Sequence, residues 1–297
     1  MRKLLPLLAL CAACSTAAPA SGPVDAGATG DAGDGGAVEC SPPPGGQWQE
    51  GRDAPAHCVR EVTGRVAAAG GAALSGLNIT LCGVVCFGAV TDAAGAFKVD
   101  VNARLPNGGY AVFFHGRPNH ASLFVRLPDA PPERFDLGAA IELAPLAAGG
   151  ALPPDEAPAT TVTAGPVSLR VEAGTTWELS FEDLADDAEG RKLRYAKVPV
   201  DKAPAFAAGA SLVYALGPFD AKPSKKVGLT LTDTGGLAAG APVEIITMGG
   251  TSLELVNTSG LPVVAAKGRV SADGTKIETD AGEGIGVVTW IAVRPAR

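Results

Sequence analysis

The sequence predicts an all-β protein with two tandem β-sandwich domains, preceded by a signal peptide and a disordered tether. Apolar and polar residues alternate with a period of two in several short runs, for example in residues 97–102 and 167–172. Turn-forming residues separate these runs at intervals of about ten residues. No long stretch keeps the 3.6-residue apolar period of a helix. Short strands at this spacing are typical of sandwiches and barrels rather than of βαβ units.

The first twenty residues predict export. The basic pair Arg2 and Lys3 precedes an apolar run at residues 4–13, which is too short to span a bilayer and fits a signal peptide (1–13). The run ends on LCAACS at residues 10–15, which resembles the lipobox of bacterial lipoproteins. This resemblance implies that Cys14 is acylated and becomes the new N-terminus, although Cys11 stands where the family usually has Leu, Val or Ile. The alternative is cleavage after the A-x-A sequence at residues 18–20, which would release a soluble protein.

The segment 14–39 is predicted to be a flexible tether. Residues 15–38 consist almost wholly of Ala, Gly, Asp, Pro, Ser and Thr and contain no aromatic residue. Such a stretch cannot bury enough apolar surface to offset the entropy that ordering would cost. With a lipid on Cys14, the chain is expected in the cell envelope, anchored to the outer membrane. A secreted or periplasmic location is the alternative.

The composition argues against a nucleic-acid partner. The chain has 24 Lys and Arg against 31 Asp and Glu, a formal net charge of -7, and no basic cluster stands out. Such a chain is a poor binder of polyphosphates. After the signal, no segment has the eighteen or so uncharged apolar residues of a membrane helix. The expected contact with the membrane is therefore the lipid anchor alone.

Four cysteines remain beyond the lipobox: Cys40, Cys58, Cys82 and Cys86. An even number of cysteines in an exported protein predicts two disulfides. Three connectivities are possible, and Cys40–Cys58 with Cys82–Cys86 closes the smallest loops. A four-thiolate zinc site is the alternative, but the spacings lack a Cys-x-x-Cys pair.

Three short motifs identify the first predicted domain, residues 40–146. They are VTGRV at 62–66, LSGLNITL at 74–81 and TDAAGAF at 91–97, and together they resemble the carboxypeptidase regulatory-like domain, a transthyretin-type, Ig-like β-sandwich. In the last motif Asp92 can accept a backbone hydrogen bond two residues on, Gly95 takes a positive φ and Phe97 returns to the core. Where this domain accompanies a carboxypeptidase, a separate domain holds the zinc. The resemblance therefore implies a fold and no catalysis.

A linker rich in Ala, Gly and Pro at residues 147–158 is predicted to separate the two domains. Beyond it, residues 159–297 resemble ZU5-like β-sandwich domains through GPVSLRVEAG at 165–174 and YALGPF at 214–219. Some relatives in that family cut themselves at a Phe-Ser bond with a nearby histidine. This segment has neither a Phe-Ser pair nor a histidine, so the resemblance does not imply self-cleavage.

The candidates for metal binding are two loops. His115 and His120 could form half of a metal site, but no acidic or thiol partner lies in that loop, so ordinary turn residues are the favoured interpretation. The stronger candidate is the acidic run that contains Asp183, Asp186, Asp187 and Glu189, because a hard cation such as Ca²⁺ prefers several oxygen ligands. The run lacks the Asp-x-Asp-x-Asp-Gly order, and a solvated acidic turn is the commoner explanation.

No residue pattern in the chain indicates catalysis or a cofactor. A Gly-x-Ser-x-Gly elbow is missing, and no pair of carboxylates is singled out. Among the tryptophans, Trp48 in a Pro/Gly-rich segment could serve as a sugar platform, whereas Trp177 and Trp290 fall within strand patterns. The expected function is that of a non-catalytic cell-envelope lipoprotein, binding an unknown protein or glycan or serving in adhesion or structural display. A calcium- or carbohydrate-binding module and an unrecognised hydrolase are the alternatives.

Overall fold

Strands make up 49% of the chain and helices 6%, so the fold is all-β, as the alternating sequence pattern predicts. The computed structural model describes residues 40, 56–83, 85–106, 109–185, 187–250 and 259–297. The predicted signal peptide, the predicted tether that contains Cys14, and the residues Trp48 and Asp186 lie outside these ranges. Within them, none of the helices has the length and hydrophobicity needed to cross a bilayer.

Eight strands form two facing sheets in the first half of the chain. They are β1 (Ala56–Ala68), β2 (Asn78–Cys82), β3 (Cys86–Val90), β4 (Ala96–Pro106), β5 (Ala111–Phe114), β6 (Leu123–Arg126), β7 (Arg134–Asp136) and β8 (Ile141–Leu143). One sheet has the order β4-β1-β7, with β8 also paired to β1, and the other has the order β3-β2-β5-β6. In β4 every second residue from Phe97 to Leu105 is buried, so one face of this strand meets the core and the other meets solvent.

The turn at residues 91–97 joins the two sheets. Asp92 Oδ1 accepts hydrogen bonds from the backbone amides of Ala94 at 2.8 Å and Ala96 at 2.9 Å. Gly95 has φ of +71°, and a Cβ there would lie 2.3 Å from the carbonyl oxygen of Val66. Phe97 is buried, and its ring meets Phe114 edge to face at 5.8 Å. Each of these three residues therefore has a structural part in the turn.

Disulfides join Cys40 to Cys58 and Cys82 to Cys86. Cys82 and Cys86 are the last paired residues of the β2–β3 hairpin. Cys58 lies in β1, so its bond ties Cys40 to the sheet. Both bonds are local along the chain, with sequence separations of 18 and 4.

The second half contains twelve strands and two single-turn helices. They are β9 (Ala147–Ala151), β10 (Thr160–Ala164), β11 (Val167–Val171), β12 (Trp177–Glu178), α1 (Phe181–Leu184), α2 (Asp187–Gly190), β13 (Lys192–Lys197), β14 (Leu212–Gly217), β15 (Lys222–Pro223), β16 (Gly228–Leu231), β17 (Pro242–Met248), β18 (Pro262–Val270), β19 (Ile277–Thr279) and β20 (Ile291–Pro295). Two 3-10 turns, Val200–Lys202 and Ala205–Ala207, follow β13. Ten strands form one sheet in the order β10-β11-β16-β19-β18-β17-β20-β14-β13-β9, and β12 pairs with β15.

The ten-stranded sheet curls into a nearly closed, barrel-like form, because its two edge strands β9 and β10 lie side by side. Gly149 allows this approach, since a Cβ at that position would lie 2.4 Å from the Cβ of Ala164. Strand β9 occupies the segment where the sequence predicts a linker. These residues are ordered by pairing with β13, at Arg194↔Ala148 and Tyr195↔Ala147.

Two hydrophobic clusters fill the interior, and one of them includes residues from both halves. The first cluster combines the sandwich core with Val213, Met248 and Trp290 from the second half. Trp290 is buried and donates its Nε1 hydrogen to the carbonyl oxygen of Ser122 at 2.6 Å. The second cluster lies within the curled sheet. Packing is thus continuous across the predicted boundary, residues 40–297 form one compact unit, and two independently folding domains stay a prediction.

Candidate functional site

The histidine loop and the acidic run, separate in the sequence, meet at one groove. It has a volume of about 280 Å³ and is lined by Gly76, Leu77, Asn78, His115, Arg117, Pro118, Glu182, Asp183, Glu189 and Gly190. These residues come from the segment that leads into β2, the loop after β5 and the two short helices α1 and α2. We call it the junction groove, because its walls belong to both halves of the chain.

The acidic wall of the groove is shaped by the capping of α1. Ser180 is the N-cap residue, and its Oγ accepts a hydrogen bond from the backbone amide of Asp183 and donates one to Asp183 Oδ2 at 2.8 Å. Helix α2 ends on Gly190, where a Cβ would lie 1.8 Å from the carbonyl oxygen of Asp183. Only glycine permits this close approach of the two helices.

Arg117 is the central cation of the site. Its side chain is only 11% exposed, and Nη1 lies 3.2 Å from Glu182 Oε2 and 3.3 Å from Asp183 Oδ2. Nη1 also donates to Ser180 Oγ, and Nη2 donates to the carbonyl oxygen of Phe219. The planar guanidinium can serve these acceptors at once because its donors are fixed in a fork. Arg117 therefore links the loop after β5 to α1 and to the loop after β14.

His115 makes a second link to the acidic helix. Its Nδ1 lies 3.2 Å from Glu182 Oε1, and its Nε2 lies 3.1 Å from Thr80 Oγ1. A hydroxyl, an imidazole and a carboxylate in this order resemble the relay of a nucleophilic hydrolase. Thr80 lies in the middle of β2, and the junction groove, as the described residues define it, does not reach it. These hydrogen bonds therefore orient His115 and Glu182, and the groove leaves no space for a substrate at the Thr80 hydroxyl.

The pKa values of the two carboxyl groups of α1 shift in opposite directions. The hydrogen bond from His115, followed by the charges of His115 and Arg117, lowers the pKa of Glu182 despite its partial burial. Burial raises the pKa of Asp183, because the cost of desolvating its charge outweighs the attraction of Arg117. Glu182 is thus the more strongly acidic of the two groups at the groove.

Replacing Glu182 by glutamine is expected to make the stability of the folded protein less sensitive to a fall in pH. The folded protein holds the pKa of Glu182 below its unfolded value of about 4.3. The ionised Glu182 therefore stabilises the folded state above that pH, and this stabilisation is lost as the pH falls through the folded pKa. Melting temperatures of the wild type and Glu182→Gln, measured between about pH 6 and about pH 3, should converge toward the acid end. A constant difference across this range would contradict the assignment.

Glu189, at the end of the acidic run, forms two ion pairs. Glu189 binds Lys192 at 2.5 Å and also binds Arg194, whose side chain is buried. His120 lines a void of about 10 Å³ beside Arg117 and Asp183, and burial lowers its pKa. Asp187 begins α2, while Asp186 lies outside the described residues. Across the described ranges, no group of three or more His, Cys, Asp or Glu side chains could hold a metal ion.

Sequence reasoning missed Arg117, Ser180 and Glu182. Arg117 and Glu182 are 65 residues apart, so no local spacing could connect them. The Ser-x-x-Asp spacing of Ser180 and Asp183 was a usable signal for a helix N-cap. Trp177 and Trp290 are buried, as their strand patterns predict, which leaves neither as a surface platform.

A larger cleft of about 1210 Å³ lies on another side of the protein. It is lined by Ala69, by β6, by residues 139–142, 144–145 and 147, by residues 195–199 and 201–205, and by Gly260, Leu261 and Trp290. Its walls are mostly small or apolar, and charges are supplied by Arg126, Glu142, Lys197, Asp201 and Lys202.

No protein-family model matches the chain, and a search of the curated proteins finds no match. The class of this protein is therefore defined by its fold and by the junction groove alone. The chain is an all-β protein in which a β-sandwich-like half packs against a nearly closed, ten-stranded sheet. Its junction groove is the concave site in which Arg117, His115 and Glu182 meet.

Proposed function

We propose that this protein is a non-catalytic lipoprotein of the cell envelope, held to the outer membrane by a lipid on Cys14 and binding a partner through its β-rich body. The observation that carries the proposal is the pairing of charges in the junction groove. Arg117 and His115 both bind Glu182, and Glu189 is bound by two cations. Charged side chains that bind one another stabilise the shape of a binding surface, and they do not stabilise a reacting substrate.

The absence of a nucleophile at the groove supports the same proposal. In the described part of the chain, the hydroxyl nearest to the groove carboxylates is that of Ser180, which caps α1 and binds Asp183. Thr80 has a histidine partner but lies outside the groove. A nucleophile needs both an activating base and room for the substrate, and each of these hydroxyls has only one of the two at most.

The proposal extends to the domain types. Residues 40–146 would be a carboxypeptidase regulatory-like, transthyretin-type sandwich, and residues 159–297 a ZU5-like domain. The two facing sheets β4-β1-β7 and β3-β2-β5-β6 favour the first assignment. The second assignment rests on the order of its sequence motifs, now located in β11 and β14. A calcium site in the acidic run is less favoured, because the carboxylates of Asp183 and Glu189 already bind arginine or lysine.

A lipid on Cys14 is expected to be essential for membrane attachment. Cells grown with a fatty-acid analogue should label the wild type, whereas Cys14→Ser should be unlabelled and should leave the membrane fraction, because one residue carries the acyl chains. Cys11→Leu is the matched control, since it replaces the other cysteine by a residue that the lipobox usually has at that position, and it should be labelled like the wild type. An unlabelled, soluble wild type that begins at Ser21 would refute the proposal.

A further inference from the structure

Strand β3 is an edge strand whose outer side is open. It pairs only with β2, and the hydrogen bond from the Thr91 amide to the Leu77 carbonyl oxygen shows which residues of this ladder face β2. Because such residues alternate along an antiparallel pair, Cys86, Gly88 and Val90 direct their amide and carbonyl groups away from β2. Within the described residues these six groups have no hydrogen-bond partner. Strand β3 therefore offers an unused ladder to another strand.

The other edge strands of the larger described sheets are protected against such pairing. Strand β4 exposes Lys98 and Asp100, and charged side chains discourage pairing. Strand β6 is approached by Gly260, where a Cβ would lie 3.2 Å from the carbonyl oxygen of Phe124. Strands β7 and β8 have three residues each, and β9 lies beside β10. Strand β3 has none of these protections, because its sequence CFGAV carries no charge and no proline and its register has no bulge.

The open side of β3 leaves room for a second backbone. Gly88 is exposed, and a Cβ there would have no atom within 4 Å. Val90 is 58% exposed and Cys86 is exposed as well, so the strand presents apolar side chains on both sides of this glycine. Phe87 and Ala89, by contrast, pack against the core. The strand is therefore held in its sheet while its outer ladder stays accessible.

We infer that β3 pairs with β3 of a second copy of this chain, antiparallel and about a two-fold axis at Gly88. In this arrangement Gly88 faces Gly88 of the other copy and Cys86 faces Val90, so the six open groups of each copy bond to the six of the other. The pairing neither buries nor opposes a charged side chain of the strand, because β3 carries none. The inference goes beyond the proposed function and does not depend on the lipid anchor, since it involves the β-rich body alone.

The pairing is expected to be weak. Strand β3 has five residues, which is few compared with the roughly 20–30 residues that each side of a stable interface contributes. Most of the affinity would come from backbone hydrogen bonds, as in other cases of strand addition. We therefore expect a dissociation constant on the order of 10 µM, in the range of weak and transient complexes.

The test is the oligomeric state of the full-length protein in a density-matched detergent, with micelles in large excess so that two chains do not share one by chance. Sedimentation equilibrium should show a monomer–dimer equilibrium over roughly 1–200 µM. Val90→Lys should weaken it at least about tenfold, because it places a lysine beside the ladder in both copies. Val200→Lys is the matched control, since Val200 is 46% exposed and lies outside β3, and it should dimerise like the wild type.

A cross-link tests the expected register. Facing residues of a hydrogen-bonded antiparallel pair have Cα atoms about 5.5 Å apart, which is within the range of a disulfide. Gly88→Cys should therefore form a covalent dimer on mild oxidation much faster than Gly286→Cys, which changes an exposed glycine outside β3 with open space around it. The inference is overturned if the wild type stays monomeric over the whole range, if Val90→Lys dimerises as the wild type does, or if the two cysteine variants cross-link equally fast.

Discussion

Arg117→Ala is expected to lower the free energy of unfolding by about 3–5 kcal/mol. Asp183 has a side chain only 6% exposed, and without Arg117 its charge would be buried with no cation beside it. The substitution would also remove the donor to the carbonyl oxygen of Phe219 and the contact of the guanidinium with the Phe219 ring. Chemical denaturation monitored by tryptophan fluorescence measures the loss. The expected change is one of the largest that a single substitution can cause here.

Two further variants compare the cost of breaking the buried Arg117–Asp183 pair with that of breaking an exposed surface pair. Arg269→Ala removes a pair with Asp280 at 2.8 Å whose arginine is 64% exposed, and it should cost less than about 1 kcal/mol. Adding Asp183→Asn to Arg117→Ala should recover part of the loss, because the unpaired charge is then removed. If Arg117→Ala costs no more than Arg269→Ala, Arg117 does not hold the two halves together.

Phe97→Ala is expected to destabilise the protein by about 3–5 kcal/mol, because it opens a cavity where an aromatic side chain is now buried. The Phe97 ring also covers Gly64, where a Cβ would lie 2.9 Å from Phe97 Cε1, so the neighbouring strand cannot refill the space with its own side chain. Val90→Ala, at an exposed position in the same half, should change stability by less than about 0.5 kcal/mol.

The same variant tests how the two halves are coupled. The cluster that contains Phe97 also contains Val213, Met248 and Trp290, so we expect calorimetry to show one transition that moves as a whole. Two transitions, of which Phe97→Ala shifts only the first, would show instead that the halves fold independently. That outcome is the one that the Ala/Gly/Pro composition of residues 147–158 predicts.

Local physical chemistry explains what could be predicted from the sequence. Burial of every second residue in β4 follows from the pleat of a strand, so the alternation from Phe97 to Leu105 was sufficient to predict it. The turn of Asp92 and Gly95 depends on bonds that span at most four residues. Cys82 and Cys86 are likewise near neighbours in the chain. Each of these features is settled by groups close together in sequence.

Other features depend on how distant strands pack, and for them sequence patterns had no signal. The residues of β9 have the composition of a linker, but their small side chains are what allow Gly149 to lie against Ala164 when the sheet curls. Arg117 and Glu182 meet only because the sandwich-like half packs on the curled sheet. Such contacts require a particular register and closure of the sheets. These are set by the whole core, and no pattern of a few residues encodes them.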